Sequence, residues 1–374
     1  MAGIYIHIPF CKQACHYCNF HFSTNRQLLP AMMDAIITEA VMRKDYLQEK
    51  IETIYFGGGT PSLIQLADLE RIISAIKTSF PISNSVEITL ESNPDDISET
   101  NLIAWTKAGI TRLSIGIQSF NDDDLSWMNR AHTATEAENS LKIATRHFKN
   151  ITIDFIYGSP TLTDAQWEKN IKLALSYNVP HLSCYALTVE SKTALSILIE
   201  KHKKENIDTN KQAHHFDLMV KWLEEAGYEH YEISNFALPG FRSQHNCSYW
   251  NGKHYLGLGP SAHSFNGISR QWNVANNALY IKSIINGQPD FELENLTASQ
   301  QLNEYIMTGL RTIEGISIPY IKKHWNSLAA AKLEQSALKW LSTEHLSEKE
   351  GILILTGKGK FLADGIAADL FQLD

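Results

Sequence analysis

Two hydrophobic rhythms alternate over the first half of the chain. Short runs rich in β-branched and aromatic residues read as strands: "GIYIHI" (3–8), "TIYFGGG" (53–59), "VEITLESNP" (86–94), "ITRLSIGIQSF" (110–120), "ITIDFIYGSP" (151–160) and "HLSCYALTV" (181–189). Between them, apolar residues recur at helical spacing over 29–47, 66–78, 99–108, 122–148 and 165–177. Strands separated by helices predict right-handed βαβ units and a parallel sheet. Six such units fall short of the eight in a closed barrel, so the expected fold is α/β, an open, partial (β/α)6 TIM-like barrel. Polar or glycine residues gather at the strands' C-terminal ends: Gly57 to Gly59, Glu91, Gln118 and Asp154. Parallel α/β folds bind ligands along that edge.

Beyond about residue 191 the pattern changes. The charged stretch "KHKKENIDTNKQAHH" (201–215) reads as a solvated face leading into a helix that ends near Gly227, and 234–277 reads as a loop dense in Asn, Gly, aromatic and His residues. The last part is helix-rich, in an apparent helix–helix–strand–helix order that predicts a small, winged-helix-like module. The expected division is a barrel over 1–190, a connecting region that completes it over 191–295, and a C-terminal helical domain over 296–374.

Composition narrows the function. A formal net charge of −8 argues against a general nucleic-acid binder, which carries a basic face. No apolar run approaches the roughly 18 residues of a membrane span, and "MAGIYIHIPF" is too short and uncharged for a secretory signal. A cytoplasmic protein is the expectation. The five cysteines also fit a reducing compartment, because three of them cluster in a way that favours a metal or redox site over a disulfide framework. Cys184 and Cys247 stand alone and read as small buried residues.

The cluster is "HIPFCKQACHYCNF" (7–20), with Cys11, Cys15 and Cys18 spaced Cys-x3-Cys-x2-Cys. One reading is a structural zinc site completed by His7, His16 or His21. The other is a [4Fe–4S] cluster with three protein thiolates, which leaves one iron open to an exogenous ligand. "FGGGTP" (56–61) follows one strand later. It is neither a Walker loop nor a dinucleotide fingerprint, and its adjacent glycines let bare backbone approach a small polar group.

With these motifs in order, and with "ESNPD", "GIQSFND", "NRAH", "DFIYGSP" and "GLGPSAHSF" after them, nearly the whole chain resembles the radical S-adenosylmethionine (SAM) proteins of the HemN/HemW group. The resemblance implies that the open iron of the cluster is chelated by SAM. It implies SAM contacts at Tyr5, Gly58, Gly59, Thr60, Glu91, Gln118, Arg130, Asp154 and Ala186. Arg130 suits the SAM carboxylate, Gln118 and Asp154 the ribose hydroxyls, and Glu91 the cationic amino group. His263, in "PSAHSF", has no assigned role.

The group contains coproporphyrinogen III dehydrogenases and haem chaperones, and three features separate them. The dehydrogenase pattern carries a further cysteine two residues after the third, where this chain has Phe20. It also has a long extension ahead of the motif, which here begins at Tyr5. Finally, "HNCSYW" (245–250) matches the His-Asn-x-x-Tyr-Trp signature of the chaperones. The resemblance therefore implies a haem chaperone that binds cluster, SAM and haem, draws on an electron donor and passes haem to an acceptor protein. An imidazole is a good axial ligand for haem iron, which makes His245 the candidate, with Tyr249 and Trp250 to pack on the porphyrin. No catalytic residue is assigned, and the alternative remains the dehydrogenase, an enzyme.

Overall fold

Apolar side chains that find cover on both faces make the predicted strands fold as strands. The computed structural model describes residues 2–372. The parallel strands are β1 (Ala2–Ile8), β2 (Ile51–Gly58), β3 (Ile82–Ser92), β4 (Arg112–Gln118), β5 (Ile151–Tyr157) and β6 (His181–Ala186). They pair in chain order, each parallel to the next, with helices Leu29–Met42, Leu66–Ser79, Glu99–Ala108, Ala134–His147 and Asp164–Ser176 in the connections. Ile4, Ile6, Ile8, Ile54, Phe56, Ile115, Ile153 and Phe155 are fully buried in one core shared by sheet and helices.

The helical pattern over 122–148 divides into two helices, Asp122–Trp127 and Ala134–His147. Between them Asn129 turns to φ +59° and Thr133 caps the second helix in a reciprocal box with Glu136, so the local capping chemistry overrides the continuous periodicity. The stretch 234–277 is likewise not a loop. It holds β8 (Asn235–Ala237), β9 (His254–Leu258), β10 (His263–Phe265), β11 (Ser269–Asn273) and the helix Gln244–Trp250, after β7 (Glu229–Glu232) and before β12 (Phe291–Asn295). These strands are three to five residues long and rich in polar residues, which hides their alternation.

Their positions extend the sheet at both ends, in the order β12-β11-β10-β9-β1-β2-β3-β4-β5-β6-β8-β7. β9 runs parallel to β1, and β8 runs antiparallel to β6. The open partial barrel is thus widened by elements from the middle of the chain.

A second core, from Leu302 to Leu370, belongs to a smaller unit. Helices Ala298–Leu310, Ile318–His324 and Ser327–Ser342 pack there with a three-stranded sheet, β13 (Ile316–Ser317), β14 (Leu346–Lys349) and β15 (Ile352–Leu355), in the order β13-β15-β14. The last apolar stretch folds as two short helices, Gly357–Lys360 and Ala363–Leu370. No helix among the described residues is long and apolar enough to cross a membrane.

Candidate functional site

Backbone pairing closes the neck of the cysteine loop. Ser23 N donates to the Pro9 carbonyl (2.9 Å) and Cys11 N to the Ser23 carbonyl (3.1 Å). The glycine turn after β2 docks on the same neck, with Gly59 N donating to the Ile8 carbonyl (2.9 Å) and Thr60 N to the Phe10 carbonyl (2.8 Å). A Cβ at Gly59 would lie 2.7 Å from both of those carbonyl oxygens, and one at Gly58, whose φ is +105°, would lie 2.5 Å from the His7 ring. Only glycine permits this approach.

The "NRAH" segment latches the loop from its other side. Asn129 accepts from Gln13 Nε2 on its carbonyl (2.9 Å) and donates Nδ2 to the Ala14 carbonyl (2.7 Å), while the Met128 carbonyl accepts from His16 N (3.1 Å). Arg130 then points its guanidinium at the loop. Nη1 donates to Cys15 Sγ (3.2 Å), and Nη2 donates to Asn93 Oδ1 and to the Gly116 carbonyl (both 2.8 Å). Its Nε is buried without a partner among the described residues. Arg130 thus lines the cavity with its guanidinium directed at a cysteine sulfur.

The loop and the strand ends line a cavity of about 780 Å³. Cys11, Cys15 and Cys18 line it together with Gly58, Gly59 and Thr60. So do Glu91, Gln118, Arg130, Asp154 and Ala186. Gln118 carries φ +65° beside a register shift between β4 and β5, a strained geometry that turns its side chain off the sheet repeat and toward the site.

The two carboxylates are buried differently from surface acids. Burial pushes Glu91 up to about 8, although Tyr55 Oη donates to its Oε1 (2.8 Å) and Gly58 N to its Oε2 (3.2 Å). Asp154 is pushed up to about 6, again mainly by burial, with Ser114 Oγ within 3.4 Å of both of its carboxylate oxygens. Neither carboxylate forms an ion pair among the described residues, so a cationic ligand would supply the counter-charge that Glu91 lacks.

The cysteines fit a cluster. All three are free thiols, half-buried on one wall of the cavity. Burial pushes the Cys11 thiol up and Cys18 to about 11, so both ionise readily only when bound metal supplies positive charge. Of the histidines that a zinc site would recruit, His7 has both ring nitrogens engaged, while His16 and His21 each use one. His7 uses both nitrogens, Nε2 on the His21 carbonyl (2.8 Å) and Nδ1 with Tyr5 Oη (3.2 Å). His16 Nδ1 meets the Trp127 carbonyl (3.2 Å) and His21 Nε2 meets Asn277 Oδ1 (2.8 Å).

Tyr5 and His245 do not line the cavity. Both lie beneath it, where the helix Gln244–Trp250 packs against β1 and β2. Glu87 Oε1 accepts from Gln244 N (3.1 Å) and His245 N (3.4 Å), which caps that helix. His245 is 2% exposed, with Nδ1 bonded to Thr53 Oγ1 (2.7 Å) and Nε2 to Tyr249 Oη (2.8 Å). Burial holds its pKa down at about 3. The structure therefore does not present His245 as an axial ligand, because both ring nitrogens are hydrogen-bonded within a closed core. Trp250 is likewise occupied, with Arg311 stacked over its ring at 5.0 Å.

The same packing contains residues that the sequence reading passed over. Tyr55 stacks on His245 (4.9 Å) on one side and bonds Glu91 through its hydroxyl on the other, so the "HNCSYW" helix braces the carboxylate from below. Tyr55, Asn93 and Asn129 all lie inside quoted motifs, "TIYFGGG", "ESNPD" and "NRAH", and membership of those motifs was the available signal.

A half-open parallel barrel with three loop thiols, a glycine turn and buried polar groups at its strand ends is the architecture of a radical SAM protein. Residues 5–174 match the family model described as "Radical SAM superfamily". The chain is 34% identical to the "Heme chaperone HemW" of Bacillus subtilis (strain 168), over 98% of each chain. It is 30% identical to the protein of that name from Mycobacterium tuberculosis (strain ATCC 25618 / H37Rv), over 98% of this chain and 94% of that one. The chain belongs to the HemW family of radical SAM proteins. In fold it also resembles the solved coproporphyrinogen III oxidase HemN of Escherichia coli, with a TM-score of 0.86 at 22% identity, covering 99% of this chain and 90% of that one.

Proposed function

We propose that this protein is a haem chaperone, binding haem and a SAM-ligated [4Fe–4S] cluster and handing haem to an acceptor protein. The observation that carries the reading is the near-full-length identity to proteins named "Heme chaperone HemW". The cavity supports it. Cys11, Cys15 and Cys18 would hold the cluster, and when bound with SAM the pair supplies one-electron chemistry at a sulfonium.

The chain's own residues prepare that place. Gly58 and Gly59 would let the methionine end of SAM approach bare backbone, Glu91 would take its ammonium, and Arg130 would neutralise charge beside Cys15. Gln118 and Asp154 would hold the ribose and Ala186 the adenine, and Tyr5 lies on the strand leading into the loop. Phe20 stands where the dehydrogenase pattern has its additional cysteine. It is 66% exposed on the cavity lip, where it gives an apolar surface and no ligand. A cytoplasmic setting suits the five free thiols. The electron donor and the acceptor are separate proteins on this reading.

Transfer tests the function. Haem-loaded protein mixed anaerobically with an apo-haemoprotein should lose its haem absorbance band as the acceptor's spectrum grows. Under the same conditions, coproporphyrinogen III with SAM and reductant should give no vinyl product. Retention of haem together with formation of the divinyl product would replace the chaperone by the enzyme.

A further inference from the structure

The cavity has a wall that the SAM assignment does not use. It is built jointly by the two cores: Phe216 from the helix Thr209–Glu225, Ile233 and Ser234 from the turn between β7 and β8, and Lys360, Phe361 and Leu362 from the C-terminal unit. Phe361 and Leu362 are 39% and 45% exposed, an unusual state for large apolar side chains on a concave surface. Phe216 packs against Phe361 at 6.0 Å and against His230 at 5.8 Å.

Within this apolar wall sits one cation without a counter-ion among the described residues. Lys360 is half-buried, and its Nζ donates to His230 Nδ1 at 2.9 Å. His230 is fixed as an acceptor there because its Nε2 donates to the Ile233 carbonyl (3.1 Å). Burial pushes the Lys360 ammonium down, with Glu224 acting on it only from beyond ion-pair distance. The other cavity cations are committed. Arg311 pairs with Glu232 (3.1 Å) and Asp364 (3.0 Å), and Arg130 is held by Cys15, Asn93 and Gly116. A desolvated ammonium facing a cavity is costly until an anion meets it.

Building on the haem reading above, we infer that Lys360 and the apolar wall of Phe216, Phe361 and Leu362 form a subsite for the carboxylate-bearing edge of a tetrapyrrole. An apolar macrocycle edged with propionates matches both halves of this wall, the exposed apolar side chains of Phe361 and Leu362 and the unpaired charge. The subsite also gives the C-terminal unit a part in ligand binding, since Lys360, Phe361 and Leu362 all come from it.

The experiment compares haemin with haemin dimethyl ester, which has the same ring and no propionate charge, on cluster-loaded protein followed by absorbance. Wild type should bind haemin about tenfold or more tighter than the diester, the range expected for one charge-assisted hydrogen bond. Lys360→Met should lose about that factor for haemin and leave the diester unchanged, and Lys360→Arg should keep the preference. SAM affinity should be the same in wild type and Lys360→Met, which separates a propionate from the SAM carboxylate as the anion. Equal binding of haemin by wild type and Lys360→Met would overturn the subsite while leaving haem binding intact. Absence of saturable haemin binding by wild type would overturn the chaperone reading and the subsite with it. A matching loss of SAM affinity in Lys360→Met would assign the lysine to SAM instead.

Discussion

Replacing Cys11, Cys15 or Cys18 by alanine should reduce bound iron from about four atoms per chain to below about one after anaerobic reconstitution, because three thiolates leave no protein ligand in reserve. Iron and sulfide analysis, with the visible absorbance of the cluster, reads this directly. The fold should survive. The loop neck is held by Pro9, Cys11 and Ser23 backbone groups and by Asn129, none of which needs a thiol. Near-normal iron in any single variant would refute the ligand set, and stoichiometric zinc in wild type would return the site to the structural alternative.

Glu91→Gln should have the next largest effect, in opposite directions on binding and on stability. With its ionisation pushed up to about 8 by burial, Glu91 is mostly protonated in the ligand-free protein at neutral pH. An ordinary carboxylate ionises near 4.5 in the unfolded chain. The stabilisation that goes with the uncharged form is therefore complete below about pH 4.5 and is lost progressively as pH rises through about 8. The Glu91→Gln variant would carry no such dependence. Thermal melting of the ligand-free proteins should coincide near pH 4.5 and diverge toward pH 8, with the variant the more stable by a few degrees.

SAM binding should move the other way. An incoming ammonium draws Glu91 into its ionised form, so binding near pH 7 should release close to one proton, visible as a buffer-dependent enthalpy in titration calorimetry. The variant lacks that partner and should bind SAM about 100-fold more weakly, the scale for losing one side of a buried charged hydrogen-bonded pair. Equal SAM affinity with no proton release would remove Glu91 from the site.

The residues that place these groups were unequally legible in the sequence. The six parallel strands could be read because β-branched and aromatic residues recur in short runs between stretches of helical spacing. Cys11, Cys15, Cys18, Gly58 and Gly59 could be read because their chemistry depends on local spacing. β8 to β11 could not, since they are only three to five residues long, and β8 and β9 join the sheet through β6 and β1, far away in the chain. His245 shows a different limit. A motif identified the residue, but its environment, with Thr53, Tyr55 and Tyr249 around the ring, is set by long-range packing. Lys360 was hidden for the same reason. It sits in an ordinary "GKGK" stretch, and only the docking of the C-terminal unit brings it to the cavity without a carboxylate beside it.

The central claim is that this cavity serves a protein that carries haem. An anaerobic titration of haemin into cluster-loaded wild type, followed by absorbance with His245→Ala alongside, tests it most directly. Wild type should saturate at about one haem per chain, and the variant should keep a haem spectrum because its imidazole lies outside the cavity. The absence of specific, saturable binding by wild type would contradict the claim.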